Sequence, residues 1–502
     1  MQLWQDLLAT ALLGTGQQTL NMSMPAGGLG EAFKHIDWSD QEQALLSVAG
    51  LATLWRRAGQ LPINGPATLL TVCANDEQPT CIETATSHLK MMLQGDYSKV
   101  LPEWLTALRQ AGKRVPASCL PELLETGRIK VGLRDLIVPV LGQRGHWLAE
   151  QNPDWHYAIK HSDESVWETG TREQRLIFLR GMRHHTPARV RELLNANWSQ
   201  ESAKDRTAFL GVLTTHLDME DEPFLEQALD DRSKEVRRTA AELLAHLSDS
   251  RLVQRLSTSA LQLLHFQPSK WPKRDVIQVE APRADSQNWL RDGIDPKLAR
   301  SQRDLGERAW LLAQILSAVP PDSWCQQWDR SPYDIVQATR NNEWRQALLI
   351  GWARATLRHK DVAWAETLLS ELPEDWAEVK GLLNILSHTQ REAYIFKLLE
   401  QSSVTNGRVL SGLDSVPVWS ERLTRTVLMQ LRDRIATAKA TEWRLRAVLN
   451  CLAEHAFPDL ADEVASVWPA PSPAWSLWEP AVHEGLALLF FRRDMLAAIQ
   501  QD

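Results

Sequence analysis

Apolar residues recur at helical spacing along most of the chain, and one stretch repeats with a fixed period. Between Thr171 and Leu247, three segments predicted to be helical share a 31-residue register. Equivalent positions hold an arginine and then two apolar residues: Arg175, Arg206 and Arg237; Phe178, Phe209 and Ala240; Met182, Leu213 and Leu244. Thr171 and Gln174 form a capping-box pattern before the first segment. Such a period is typical of helix pairs that stack on their neighbours, because one pair alone cannot bury its apolar face.

The third repeat resembles a HEAT unit. A helical segment that starts at Phe224 leads through Asp231 into a second segment that contains Arg237. In HEAT repeats an Asp in the turn and an Arg in the second helix form a ladder, and these two residues match that arrangement. The resemblance covers about residues 160–265, and the two preceding repeats lack an obvious Asp partner. We therefore predict an all-α fold, a HEAT-like α/α superhelix (alpha-solenoid) of stacked helix pairs interrupted by a long loop.

The helical pattern fails between Pro268 and Gln302, where prolines, Gly293 and short polar residues interrupt it. The run Val276–Val279 alternates only weakly, and we expect it to lie within a loop. Long loops in compact folds are either functional or linkers. The sequence thus predicts three parts: an N-terminal helical-repeat array over residues 1–265, a Pro-rich basic and Trp-bearing loop over 266–302, and a C-terminal helical-repeat array over 303–502.

The composition is that of an ordinary globular protein, with 44% hydrophobic and 24% charged residues and a net charge of −8. No global field therefore draws the whole chain to nucleic acid or anionic lipid. The N-terminus lacks a basic region, and no apolar run is long enough to span a bilayer, so we expect a cytoplasmic protein. The five cysteines include no CxxC pair, which argues against a disulfide framework and a cysteine zinc site.

The predicted loop holds the first group of candidate partner-binding residues. They are basic or aromatic: Lys270, Trp271, Lys273, Arg274, Trp289 and Arg291. Such residues can hold phosphate while the rings stack on bases, but interleaved acidic residues neutralise much of the charge. Three interpretations stay open: a solvated linker or clamp between the arrays, a partner-binding loop, or a nucleic-acid contact.

The three aligned arginines are the second group of candidates. Arg175, Arg206 and Arg237 would line a concave groove suited to acidic groups of a partner, or would pair with acidic neighbours between repeats. The adjacent His184 and His185 point about 100° apart on a helix, so they do not converge on one metal ion. No phosphate-binding loop, HExxH, GxSxG or zinc-deaminase pattern is present. We therefore assign no catalytic residue, metal ligand or cofactor.

Short motifs link the chain to a bacterial family of uncharacterised proteins of about 500 residues. The run Leu7–Thr15 resembles the "ALLGT" opening of that family, and Trp289–Gly293 and Gly306–Ala309 are similar to later elements. Members of the family are encoded near MoxR-type AAA+ ATPases, von Willebrand A-domain proteins and SWIM zinc-finger proteins. The resemblance implies an adaptor in a chaperone-like ATPase system, and no catalytic residue transfers with it.

Two functional hypotheses follow. The first is a helical-repeat scaffold that binds protein partners, with a MoxR-type AAA+ ATPase or a von Willebrand A-domain protein as the implied partner. The alternative is a nucleic-acid-binding HEAT-like enzyme, because the repeats resemble the fold class of some bacterial DNA glycosylases. The acidic balance and the lack of a dense Lys/Arg stripe count against nucleic acid and against membrane.

Overall fold

The described part of the chain is predominantly helical, which confirms the all-α prediction. A computed structural model describes residues 2–20, 24–25, 27–58, 72–159, 164–269, 275–283, 287–295, 305–470 and 472–501. Within these residues the strands form one two-stranded antiparallel sheet. No helix in the same ranges has both the length and the hydrophobicity needed to cross a bilayer.

Backbone contacts divide the chain into two compact units, Met1–Val72 and Cys73–Asp502. The described residues of the first unit form three α-helices: α1 Gln2–Leu13, α2 Gly28–Phe33 and α3 Gln41–Ala58. Its small core is built from apolar side chains of all three helices, namely Leu7, Leu29, Phe33, Ala44 and Val48, with Leu20 from the connection. The boundaries predicted at residues 265 and 302 fall inside the second unit, and a three-part division stays a prediction.

The second unit contains the remaining elements. Its α-helices are α4 Glu83–Gln94, α5 Leu101–Gln110, α6 Leu120–Ile129, α7 Arg134–Ile137, α8 Gly142–Gln151, α9 Ser165–Thr169, α10 Arg172–Arg183, α11 Pro187–Asn197, α12 Ala203–Leu210, α13 Glu222–Ala228, α14 Lys234–Leu244, α15 Arg251–Leu263, α16 Gln287–Arg291, α17 Glu307–Leu316, α18 Asp322–Trp328, α19 Pro332–Gln337, α20 Arg345–His359, α21 Val362–Glu371, α22 Glu378–Ile385, α23 His388–Gln401, α24 Gly407–Asp414, α25 Glu421–Thr437, α26 Trp443–His455, α27 Ala461–Ser466 and α28 Trp475–Gln500. Short 3-10 helices connect them at Ser98–Val100, Ala117–Cys119, Val131–Leu133, Val138–Val140, Pro153–Ala158, Trp198–Gln200, Gly211–Thr214, Met219–Asp221 and Pro458–Leu460.

The helices of the 31-residue register are α10, α12 and α14, as the pattern predicts. Thr171 and Gln174 make both hydrogen bonds of a capping box, which fixes the start of α10. Tryptophan contributes the largest buried side chains of the second unit, and those with less than 2% exposure are Trp104, Trp324, Trp352, Trp364, Trp419 and Trp478.

The run Val276–Val279, expected in a loop, is instead strand β2. It pairs antiparallel with β1, Leu264–Gln267, with Leu264 opposite Val279 and Gln267 opposite Val276. Leu264 and Ile277 are buried in the core of the second unit, which stabilises a hairpin that the weak alternation did not reveal. The loop expectation was therefore wrong at these residues, because tertiary burial outweighs a weak local pattern.

The last helix, α28, returns to the first helices of the second unit. Met495 and Ile499 are buried in the core built by α4 to α8, although hundreds of residues separate α28 from those helices along the chain. Arg492, fully buried, donates two hydrogen bonds of 2.8 Å to the Glu103 carboxylate of α5. The two ends of the second unit are thus held together by apolar packing and a bidentate ion pair.

Candidate functional site

The arginines of the 31-residue register form a row of ion pairs. Arg175 pairs with the Glu201 carboxylate, and its guanidinium lies 4.1 Å from the ring centre of Trp167. Arg206 donates from Nη2 to Asp231 Oδ1 at 3.0 Å and from Nη1 to the main-chain oxygen of Glu201 at 2.6 Å. Its Nε lies 2.8 Å from Asp231 Oδ2 in the same ion pair. Each of these two arginines thus ties its own repeat to the turn that precedes the next.

Arg237 continues the row through main-chain oxygens. It donates to the Asp231 oxygen at 2.7 Å and to the Leu290 oxygen at 3.3 Å. The HEAT resemblance implied that the Asp231 carboxylate pairs with Arg237, whereas it pairs with Arg206, the arginine one repeat earlier. All three guanidinium groups therefore have partners within the chain, and their role in binding another protein stays a prediction.

The predicted basic loop divides into two regions. Lys270, Trp271, Lys273 and Arg274 lie outside the described residues. The strands β1 and β2, which are described, pair with each other.

Trp289 and Arg291 belong to the second region, helix α16. Arg291 donates to Asp230 Oδ1 at 2.7 Å and to Glu226 Oε1 at 3.0 Å, and the bond to Asp230 raises the pKa of Arg291. Trp289 is half-buried against the large core of the second unit. The next residue, Asp292, is buried and accepts from Arg255 at 2.7 Å. Ion pairs thus bind α16 and the residue after it to α13, Asp230 and α15, and partner binding by Trp289 and Arg291 stays a prediction.

A different feature stands out as the candidate site: a cavity of about 840 Å³ where α28 meets α5. We call it the seam groove. One side is formed by residues 99–110, another by residues 493–500, and the rest by His388 and the loops around Val418 and Phe457. Its volume lies in the range of roughly 300–1,000 Å³ that is typical of ligand sites.

The lining of the seam groove is mainly apolar. The side chains that give it this character include Val100, Pro102, Ala107, Val418, Phe457 and Leu496. Pro102 begins α5, where its missing N–H costs no helical hydrogen bond, and Leu496 lies between the buried residues Met495 and Ala498 on α28. Apolar side chains that line a concave surface are typical of sites that bind an apolar segment or ligand.

Polar groups at the seam groove are held in place by other groups of the chain. Lys99 Nζ lies 2.6 Å from Glu454 Oε1, and the hydrogen bond raises the pKa of Lys99. His388 Nε2 lies 2.7 Å from the Val418 oxygen, and because a carbonyl only accepts, this nitrogen carries a proton. His455 Nδ1 donates in the same way to the Pro417 oxygen at 3.1 Å. The two imidazoles therefore fix the loop at 417–418 that forms one wall.

Sequence reasoning missed the seam groove. Its lining comes from segments that lie between residue 99 and residue 500, and no motif or period connects them. Only the long-range packing of α28 on α4 and α5 brings them together. Among the described residues, no group of three or more His, Cys, Asp or Glu is placed to hold a metal ion. The groove thus offers apolar area with fixed polar groups at its edge.

A protein-family model matches residues 6–499, and the family is described as a family of unknown function, DUF5691. No curated protein and no solved structure matches the chain.

Proposed function

The chain belongs to DUF5691, a family of unknown function, and on that premise we propose that it is a non-catalytic scaffold that binds protein partners through the seam groove. The proposal includes stacking of the repeats as a HEAT-like α/α superhelix within the second unit. The row of pairs made by Arg175 and Arg206 supports this stacking, because each arginine links one repeat to the next.

The single observation that carries the proposal is the apolar lining of a groove whose walls are fixed. A groove near 840 Å³ has room for several side chains of a bound segment. The Lys99–Glu454 pair and the two imidazole bonds hold its edge, so that the groove loses little conformational entropy when a segment binds. We infer that the partner inserts an apolar stretch of its chain between α5 and the 417–418 loop.

The partner implied by the sequence resemblance is a MoxR-type AAA+ ATPase or a von Willebrand A-domain protein. This identity rests on short motifs, and it defines the first candidates for a binding experiment. A cytoplasmic location is part of the same proposal.

Capture of partners with the tagged full chain tests the proposal. Thr106 is an exposed helical threonine in the lining of the groove, and its hydroxyl donates to the main-chain oxygen of Pro102. Thr258 on α15 is likewise exposed and donates to the Gln254 oxygen, so it provides a matched control far along the chain. The wild-type chain and Thr258→Glu should capture the same proteins from native extract in similar amounts. Thr106→Glu should capture at least about tenfold less of them, because the partner would have to cover a carboxylate.

The same capture, with and without nuclease, separates the two hypotheses. The scaffold hypothesis is supported if Thr106→Glu reduces the amount of captured protein and nuclease treatment leaves that amount unchanged. Equal recovery with Thr106→Glu and Thr258→Glu contradicts binding at the seam groove. Loss of all captured protein after nuclease treatment, with steep salt dependence, would favour the nucleic-acid alternative.

A further inference from the structure

The first unit exposes far more apolar surface than its size explains. Among the described residues, nine of the twenty large apolar side chains that are exposed belong to Met1–Val72. Two of them, Leu46 and Leu54, lie on α3 and are 73% and 62% exposed. Exposed apolar residues clustered in this way mark interaction surfaces.

Helix α3 has two distinct faces. Ala44 and Val48 point into the core of the first unit and are fully buried. Leu46, Gly50 and Leu54 follow at steps of four residues, which places them on one side of the helix, away from that core. A Cβ at Gly50 would meet no atom within 4 Å, so this face is open at its centre.

The ends of the same face carry opposite charges. Glu42 lies one turn before Leu46, and Arg57 lies about one turn after Leu54, both with exposed side chains. Within the described residues neither side chain takes part in an ion pair. The face therefore runs from an acid through leucine, glycine and leucine to a base.

We propose that this face of α3 binds a second copy of the chain, with the two helices antiparallel and a two-fold axis close to Gly50. In that arrangement Leu46 packs on the partner's Leu54, and Glu42 lies beside the partner's Arg57. The absence of a side chain at Gly50 allows the two backbones to approach closely where they cross.

The charges at the two ends of this face favour a second copy of the chain as its binding partner. A two-fold interface requires a surface that complements a second copy of itself. When the second helix runs antiparallel, its base meets the acid of the first helix and the two apolar centres meet each other. A parallel arrangement would oppose like charges. Trp4, Leu8 and Leu12 of α1 are also exposed, so the first unit carries further apolar surface beside that of α3.

Sedimentation equilibrium of the full chain measures the dimer directly. We expect a monomer–dimer equilibrium for the wild type. Leu46→Glu should raise the dimer dissociation constant by at least about 100-fold, since two carboxylates would be buried at the apolar centre. Met429→Glu changes a half-exposed apolar residue of the second unit and is the control that should leave the constant unchanged. Circular dichroism of each variant verifies that the fold is retained.

A charge exchange then tests the antiparallel pairing. Glu42→Arg places two arginines together at each end of the interface and should weaken the dimer about tenfold. The double variant Glu42→Arg with Arg57→Glu should restore it, because each new arginine would meet a new glutamate of the partner. A monomer up to the solubility limit, a dimer insensitive to Leu46→Glu, or a double variant weaker than Glu42→Arg alone would each overturn the proposal. These results do not depend on the seam groove, so either proposal can fail without the other.

Discussion

The first unit and the second unit place their apolar and charged side chains in opposite ways. Among the described residues of Met1–Val72, Thr10 is the one buried polar side chain, while large apolar residues lie exposed on α1 and α3. The second unit buries Arg183, Asp221 and Arg492 completely. A large unit encloses charged groups and must pair them, whereas a small unit has too little core to cover its own apolar residues. The second unit therefore pairs its buried charges internally, whereas the first unit leaves apolar surface open to solvent.

The largest effect is expected at the buried pair of Arg183 and Asp221. Arg183 also donates to the main-chain oxygens of Thr215 at 2.8 Å and His216 at 3.0 Å. Arg183→Met removes a positive charge that offsets the cost of burying the Asp221 carboxylate. The variant should lower the free energy of unfolding by about 3 to 4 kcal/mol. Urea denaturation measures this.

The control for that variant is Arg189→Met. Arg189 pairs with Glu164 on the surface, so its loss should cost less than about 1 kcal/mol. Equal effects of the two variants would contradict the contrast between buried and exposed pairs.

A somewhat smaller effect is expected where the ends of the second unit meet. Arg492→Met removes both hydrogen bonds to Glu103, and we expect a loss of about 2 to 3 kcal/mol, since the freed carboxylate is partly open to water. The adjacent Arg493 pairs with exposed Asp462, and Arg493→Met should change the unfolding midpoint little. If Arg492→Met were neutral, α28 would not depend on this pair for its position.

Mild acid should weaken the second unit through His359. Burial lowers the pKa of His359 to about 4, below its ordinary value near 6.5. Between these values the unfolded chain binds a proton that the folded chain excludes, so stability is full above pH 6.5 and falls as the pH is lowered toward 4. Urea midpoints at pH 7 and pH 5 should therefore differ more for the wild type than for His359→Gln. The same difference in both proteins would show that His359 is not responsible.

The smallest effect is expected on the exposed side of the first unit. Leu8→Ala should change the free energy of unfolding by no more than about 0.5 kcal/mol, because Leu8 is about half exposed. Its neighbour Leu7 is buried in the core of the unit, and Leu7→Ala should cost about 2 kcal/mol or more. Calorimetry of the two variants compares adjacent leucines of one helix. A larger loss from Leu8→Ala would mean that this face is already covered in the folded chain.

The sequence predicted the features that depend on local spacing. Helical periodicity and the capping box at Thr171 locate α10, and the register locates the arginines of α12 and α14. The partner of Arg175 was not predicted, because Glu201 lies in a turn where no period specifies its position. The seam groove was not predicted either, since its walls meet only through the packing of α28 on α5. Short-range patterns specify elements, and the site depends on contacts between distant parts of the chain.

Hydrogen–deuterium exchange with the captured partner tests partner binding at the seam groove most directly. On binding, we expect slower exchange in peptides that cover residues 99–110, 417–418 and 454–459, with little change in α16 and in the first unit. Protection confined to α16 or to the row of Arg175, Arg206 and Arg237, with none at the seam groove, would contradict the proposal.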